Sequence, residues 1–324
     1  MFNYGEHKPT AFFLQGAGGF AWATAGLGTY AFALEPSLRL NVTSYRVTPP
    51  HWPDGMTLKA AVRADIHACE PWMPASRVRA IANLTNDLAP DIVFLLGDFS
   101  GAHRFVTGPV MPDEWGEALS VLKAPLGVYS VLGNHDWLHG ALPGMPADGA
   151  EGVRGALRAA GIAVLENHAL RVTKNGQPFW VAGLGDQIGE RKGPRPFKGR
   201  DDLRGTMAQI KGPAPVILLA HEPAIFRRVP DRVSLTLCGH THGGQVNLPI
   251  FTEDFIRRHY RCDIVYGHLA QGNRHLIISA GLGTAHVPVR FMRPPEVVEL
   301  TIGRGGGDPE PSSARPSGRP RLSS

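Results

Sequence analysis

The sequence predicts an α/β domain, and three observations predict it. Of 324 residues, 43% are hydrophobic and 19% charged, which excludes wholesale disorder. Short apolar runs recur without polar alternation, as suits strands buried on both faces, and helical patterns separate them. Five of those runs end in an Asp, Asn or His, often beside glycine.

The strand-like runs are Leu58–Arg63, Asp91–Leu96, Val128–Leu132, Phe179–Ala182, Val216–Ala220, Leu235–Cys238, Leu276–Ser279 and Val297–Ile302. Helical patterns cover Ala75–Leu88, Pro112–Leu122, Ala150–Ala160 and Asp201–Ile210, with Pro74 as a start signal and Gly161 as a stop. Alternation of the two kinds places helices on both sides of sheet strands.

Outside this domain, predicted over residues 57–302, the chain changes character. Ala11–Leu34 has no charged residue and is long enough to cross ~30 Å of hydrocarbon, but its glycines make it only mildly apolar. Ala31-Phe32-Ala33 fits a small-x-small cleavage pattern. Residues 1–35 thus read as a cleaved export signal or a retained membrane anchor, with a buried glycine-rich helix as the plain alternative. Either export reading leaves Lys8 inside and the domain outside the cytoplasmic membrane. His7-Lys8-Pro9 is no arginine pair, so the export route stays open. Residues 36–56 read as a linker. Residues 303–324, rich in Gly, Pro, Ser and Arg, read as a disordered tail.

Charge and cysteine content exclude whole classes. The net charge of +5 concentrates in the 191–200 loop and the tail, leaving a body close to neutral. A broad nucleic-acid face needs many spread phosphate contacts, so no nucleic-acid partner is expected. Cys69, Cys238 and Cys262 form no C-x-x-C pair, which excludes a zinc ribbon and a disulfide scaffold. Cys238, at a strand end, reads as a small buried residue.

The chemistry lies in the residues just after each buried run. Asp65-Ile66-His67 comes after the first, Gly97-Asp98 after the second, and Gly133-Asn134-His135-Asp136 after the third. His221-Glu222 and Gly239-His240-Thr241-His242 come after Val216–Ala220 and Leu235–Cys238. Loops at the carboxyl ends of strands converge on one crevice in open α/β sheets. Any one of these residues alone would read as a turn or cap. Together, Asp65, His67, Asp98, Asn134, His221, His240 and His242 form a ligand set without thiolate, suited to Mn²⁺, Fe or Zn²⁺. Seven ligands exceed one tetrahedral site and suit two divalent ions sharing a carboxylate.

The ordered series D-x-H, G-D, G-N-H-D, H and G-H-x-H resembles the calcineurin-like metallophosphoesterase superfamily. The H-T-H-G-G-Q run and the P-V-R-F-x-x-P-P-E segment (Pro288–Glu296) are similar to its bacterial branch of membrane-linked or exported enzymes. Ala64 departs mildly from a position where serine is common. The resemblance implies a four-layer α/β/β/α sandwich with a dimetal site at the carboxyl ends of the strands. It implies that Asp65, His67 and His242 hold one ion, Asn134, His221 and His240 the other, and that Asp98 bridges both. His135 would be the general acid and Asp136 would orient it. Two divalent ions are implied as cofactors, Mn²⁺ first, with Fe or Zn²⁺ as alternatives. The implied reaction is attack by a metal-activated hydroxide on a phosphodiester or pyrophosphate, in a lipid-linked or envelope substrate such as UDP-2,3-diacylglucosamine. A nuclease, a phosphoprotein phosphatase or a non-catalytic scaffold on the same fold are the alternatives.

Weaker expectations surround the motifs. Asp186-Gln187 faces the crevice or forms a plain turn; His103, Arg104, His139, His286 and Arg290 are surface loop residues that would touch substrate only secondarily. The 191–200 basic loop would meet a diphosphate or anionic headgroup. Trp72 and Met73 would form an apolar lip or pack in the core.

Overall fold

The computed structural model describes residues 25–101, 103, 105–137, 150–188, 199–248 and 257–303. Its first strands are β1 (Asn41–Val47), β2 (Leu58–Arg63), β3 (Cys69–Glu70), β4 (Ile92–Leu95), β5 (Gly108–Pro109), β6 (Val128–Ser130) and β7 (Ala163–Val164). There follow β8 (His168–Lys174), β9 (Gln177–Gly183), β10 (Val216–Leu219), β11 (Leu235–Cys238), β12 (Gly267–Gln271), β13 (Arg274–Ile278) and β14 (Glu296–Ile302). Residues 25–38 are helical ahead of β1, and the later helices are α1 (Ala75–Asp87), α2 (Pro112–Leu119), α3 (Glu151–Ala159) and α4 (Leu203–Gln209).

Local chemistry explains the helix ends. Pro112 opens α2, where its missing N–H costs nothing, and Glu114 accepts a hydrogen bond from Met111 N at 2.7 Å. Asp202 caps α4 by accepting from Gly205 N at 2.8 Å. Gly161 ends the third helical unit in the left-handed region, φ 74°.

Two six-stranded sheets run in the orders β1-β14-β2-β4-β6-β7 and β12-β13-β11-β10-β9-β8, and β3 pairs with β5 beside them. Neighbours are mostly parallel, but β14 is antiparallel to β2, β12 to β13 and β8 to β9. Alternation along each strand divides the core. Ala60, Val62, Ile92 and Phe94 of one sheet meet Phe179, Val181, Ile217 and Leu219 of the other. Their neighbours Ala61, Val93 and Leu95 face α1, α2 and α3 through Val78, Trp115 and Leu157. Val216, Leu218 and Ile278 pack outward against Ile225, Phe226 and α4. The result is helices, sheet, sheet, helices, the four-layer sandwich. Phe94 is wholly buried between the sheets, and truncating it to Ala would cost about 3–5 kcal/mol.

Residues 41–47, inside the stretch expected as a linker, form edge strand β1, in parallel register with β14 from Asn41↔Glu296 to Val47↔Ile302. Its polar, largely exposed pattern hides it from a search for apolar runs. Upstream, residues 30–38 lie on the domain. Ala31 O accepts from Arg290 N (2.9 Å) and Phe32 O from Trp72 Nε1 (3.0 Å). The buried Glu35 carboxylate accepts from Met292 N (3.0 Å) and Arg293 N (2.7 Å). Among the described residues no helix is long and apolar enough to cross a membrane. The rest of the expected signal or anchor (residues 1–24) and the tail beyond Gly303 lie outside the described residues, as do Arg104, His139 and most of the 191–200 loop.

Candidate metal centre

The carboxyl ends of β2, β4, β6, β10 and β11 lead into one crevice. The first candidate group is Asp65, His67 and His242; the second is Asp98, His221 and His240. In a third, Asp98 and His67 are joined by His135. Within each group the potential ligand atoms lie within 4.8 Å of one another. Asp98 is therefore the shared element: its Oδ2 is 3.2 Å from His221 Nε2 and 3.4 Å from His67 Nε2. Asp65 Oδ1 is 3.5 Å from His242 Nε2 and 4.0 Å from His221 Nε2.

The backbone is bent to bring these side chains inward. Asp65, His67, Asp98, His240 and His242 all occupy the left-handed region, with φ from 46° to 71°. Non-glycine residues hold such angles only where surrounding structure dictates them, and they cluster at functional sites. Gly133 leaves room for the site itself, since a Cβ there would lie 2.4 Å from Asp98 Oδ1 and 2.6 Å from His221 Cε1.

Hydrogen bonds fix the imidazole orientations. His221 Nδ1 donates to Leu96 O at 2.6 Å, and His67 Nδ1 to Ser100 O at 3.3 Å. Each bond places a proton on Nδ1 and turns Nε2 toward the crevice, the usual orientation of a metal-ligating histidine. Asp65 accepts from His240 N at 3.0 Å. The Pro288–Glu296 segment supports this loop from behind. The buried Arg290 guanidinium donates to Gly283 O and Ala280 O, while Glu296 accepts from Ala280 N at 2.8 Å. Gly283 N in turn donates to Asp65 O at 2.7 Å.

Burial governs the protonation states. It pushes His67 down to about 3 and holds His240 and His242 well below the ordinary histidine value, so all three are neutral donors. Burial, reinforced by the Asp98 charge, raises Asp65 to about 7. For Asp98 burial acts upward too, but facing His221 and His135 hold it well below the carboxylate range. Two buried carboxylates amid inward-facing imidazole nitrogens suit a cation at their centre. The Asn134 side-chain oxygen is buried at the crevice with no hydrogen-bond partner among the described residues. These donors, all oxygen or imidazole nitrogen, fit divalent ions of the Mn²⁺, Fe or Zn²⁺ kind.

His135 donates its backbone N–H to Asp98 Oδ1 (2.8 Å), and its ring lies 4.8 Å from that of His67. Asp136 acts differently from expectation. Its carboxylate accepts from the backbone N–H groups of Asp98 (2.9 Å), Phe99 (2.8 Å) and Gly133 (2.9 Å). It therefore ties the Asp98 loop to the Asn134 loop rather than steering the His135 ring. Three convergent amides capture a buried carboxylate more readily than one neighbouring imidazole.

The crevice opens as a cleft of about 570 Å³ lined by His135, Gln187, Tyr260, Arg261 and His286, among others. Gln187 therefore faces the crevice, held by its amide on Glu222 O at 2.8 Å, while Asp186 is buried. His103 is buried against Trp72, ring centroids 5.3 Å apart, and Met73 is core, so only half-buried Trp72 remains near the surface. Sequence reasoning missed Tyr260, whose ring sits edge-on to His240 at 4.9 Å, and its neighbour Arg261. The R-R-H-Y-R run at 257–261 was the available signal.

Comparison with known proteins agrees with this geometry. The family described as Calcineurin-like phosphoesterase matches residues 58–271. An uncharacterized metallophosphoesterase of Aquifex aeolicus is 32% identical over 86% of this chain and 97% of its own length. YkuE, an uncharacterized metallophosphoesterase of Bacillus subtilis, is 28% identical over 88% of this chain and 93% of its own. The phosphodiesterase YaeI of Escherichia coli is 28% identical over 74% of this chain and 80% of its own.

Proposed function

Because the chain belongs to the calcineurin-like phosphoesterase family and is a hydrolase, we propose that it cleaves a phosphodiester or pyrophosphate bond, with His135 as general acid. The family uses a dinuclear divalent centre, and the observation that carries the reading is Asp98 standing between two ligand groups. Asp65, His67 and His242 would hold one ion and Asn134, His221 and His240 the other, with Asp98 touching both. When bound, the two ions supply neutralisation of phosphate charge and an acidified water as nucleophile.

The chain's own residues do the rest. His135 is fixed through its backbone on Asp98 and lines the cleft, where its ring would pass a proton to the leaving oxygen. Asp136 keeps the Asp98 and Asn134 loops at their spacing. Tyr260, raised to about 12 by burial, stays protonated and offers a hydroxyl at the wall.

Three finer points belong to this proposal. Mn²⁺ is the favoured ion, in line with the oxygen-rich, thiolate-free donors. A lipid-linked or envelope substrate is favoured by the uncharged run Ala11–Leu34, which also argues for a domain outside the cytoplasmic membrane. A diester rather than a monoester is supported by the name of YaeI, a phosphodiesterase. The test is hydrolysis of bis(p-nitrophenyl) phosphate by the full chain, stripped of metal and then resupplied with Mn²⁺. Turnover that appears only with metal supports the proposal; none with metal demonstrably bound overturns it.

A further inference from the structure

We propose that a depression formed by Arg227, Arg257, Arg258 and Arg261 is an anion subsite that receives a second phosphate group of the substrate. The inference rests on the reading of the adjoining cleft as a phosphoesterase site. The depression has a volume of about 400 Å³, and Cys262 and Asp263 complete its lining. Arg261 lines both this depression and the cleft over the metal ligands, so one side chain joins the two concavities. Tyr260, the residue before it, contacts His240 edge-on at 4.9 Å. A ligand reaching from the metal centre past Tyr260 therefore arrives among the arginines.

The segment is held in this pose. Cys262 N donates to Arg257 O at 3.2 Å, closing the turn that ends the helical residues 257–260. The buried Cys262 side chain anchors the turn, and Arg261 adopts φ 51°, an angle a non-glycine residue holds only under constraint. Among the described residues the lining carries four arginines and one acid, Asp263, which Arg227 binds at 3.0 Å. Grouped guanidiniums repel one another, whereas their planar forks match phosphate oxygens in pairs. The substrate class is thus a phosphoester bearing a further phosphate near the scissile one, either on a soluble molecule or on a lipid headgroup.

The test compares the metal-loaded full chain with its Arg258→Glu and Arg261→Glu variants on three substrates. Bis(p-nitrophenyl) phosphate carries one phosphate, ADP-ribose is a soluble diphosphate, and CDP-diacylglycerol in mixed micelles is a lipid-linked one. Each variant is expected to lower kcat/KM for a two-phosphate substrate about tenfold more than for bis(p-nitrophenyl) phosphate, through KM. The arm that shows the difference identifies the source. Equal losses on all substrates, or none, overturn the subsite. If the wild-type chain hydrolyses nothing, the phosphoesterase reading fails, and equilibrium dialysis with inorganic pyrophosphate decides the subsite. Binding that survives the double variant unchanged then overturns it, and binding that is lost supports it.

Discussion

The Nε2 atoms of His67 and His242 lie 3.1 Å apart, with their rings stacked at 4.9 Å between centroids. Both rings are neutral by burial, and His67 commits its one proton to Ser100 O, so its Nε2 lone pair faces His242 Nε2 at a point where a cation fits. Divalent metal should therefore stabilise the fold directly. Mn²⁺ at a hundred times its dissociation constant is expected to add about 2.7 kcal/mol, read as a Tm several degrees above that of chelator-treated protein. An unchanged melting curve at saturating metal would contradict the assignment of this cluster.

Proton donation can be separated from metal binding. Replacing His135 by Ala removes the ring at the cleft while leaving the backbone bond to Asp98 Oδ1 available. Turnover of a substrate with a poor leaving group is expected to fall about 10²–10⁴-fold, with less loss on a p-nitrophenyl ester that needs no proton. Metal content, measured by atomic emission, should hold. Equal losses on both substrates would exclude the general-acid role.

The pH dependence of stability is set in part by His67. Its folded-state value is depressed to about 3 by burial, against about 6.5 in the unfolded chain. The unfolded state thus binds the extra proton between those values, so this contribution is full above pH 6.5 and is lost as pH falls toward 3. In chelator-treated protein the slope of unfolding free energy over that window should be shallower in His67→Gln, by up to ~1.4 kcal/mol per pH unit. Parallel slopes in urea titrations at several pH values would show that His67 is not held neutral.

Gly133 is a packing requirement of the site. Adding a methyl there, as in Gly133→Ala, pushes against Asp98 and His221 at 2.4 and 2.6 Å. Displacing catalytic groups by such amounts costs on the order of 10²-fold in rate, and the loss should appear with both good and poor leaving groups. Steady-state kinetics near the wild-type values would show that the two loops can part freely.

Arg63 offers a stability prediction away from the chemistry. Its guanidinium is wholly buried, burial pushes it down to about 9, and its three nitrogens have no hydrogen-bond partner among the described residues. Arg63→Met keeps the length and removes the buried charge, so unfolding free energy should rise by about 1–3 kcal/mol. A lower Tm in the variant would mean that the cation is well compensated.

The layers and the centre were legible for related reasons. Leu58–Arg63 and Leu235–Cys238 appear as strands with the expected bounds because strands buried on both faces are largely apolar, exposed Lys59 being an exception. The candidate ligands stood out because Asp65, Asp98 and His221 each come closely after such a run. β1, β8 and β12 stayed hidden: they lie at sheet edges, where polar side chains such as Asn41, Arg171 and His268 meet solvent. The work of Asp136 was invisible for another reason. Its partners are backbone amides, which carry no residue code.

The position of β14 sets a schedule for the making of this protein. Among the described residues the last strand lies between β1 and β2, the first two, and the segment before it cradles Asp65 through Gly283 and Arg290. A ribosome that has released only the first two hundred residues has delivered Asp65, His67 and Asp98 but nothing that closes their sheet. Such a nascent chain exposes an open strand edge and a half-set of ligands. Closure of the sheet and completion of the centre thus come together, only once the residues up to Ile302 are free.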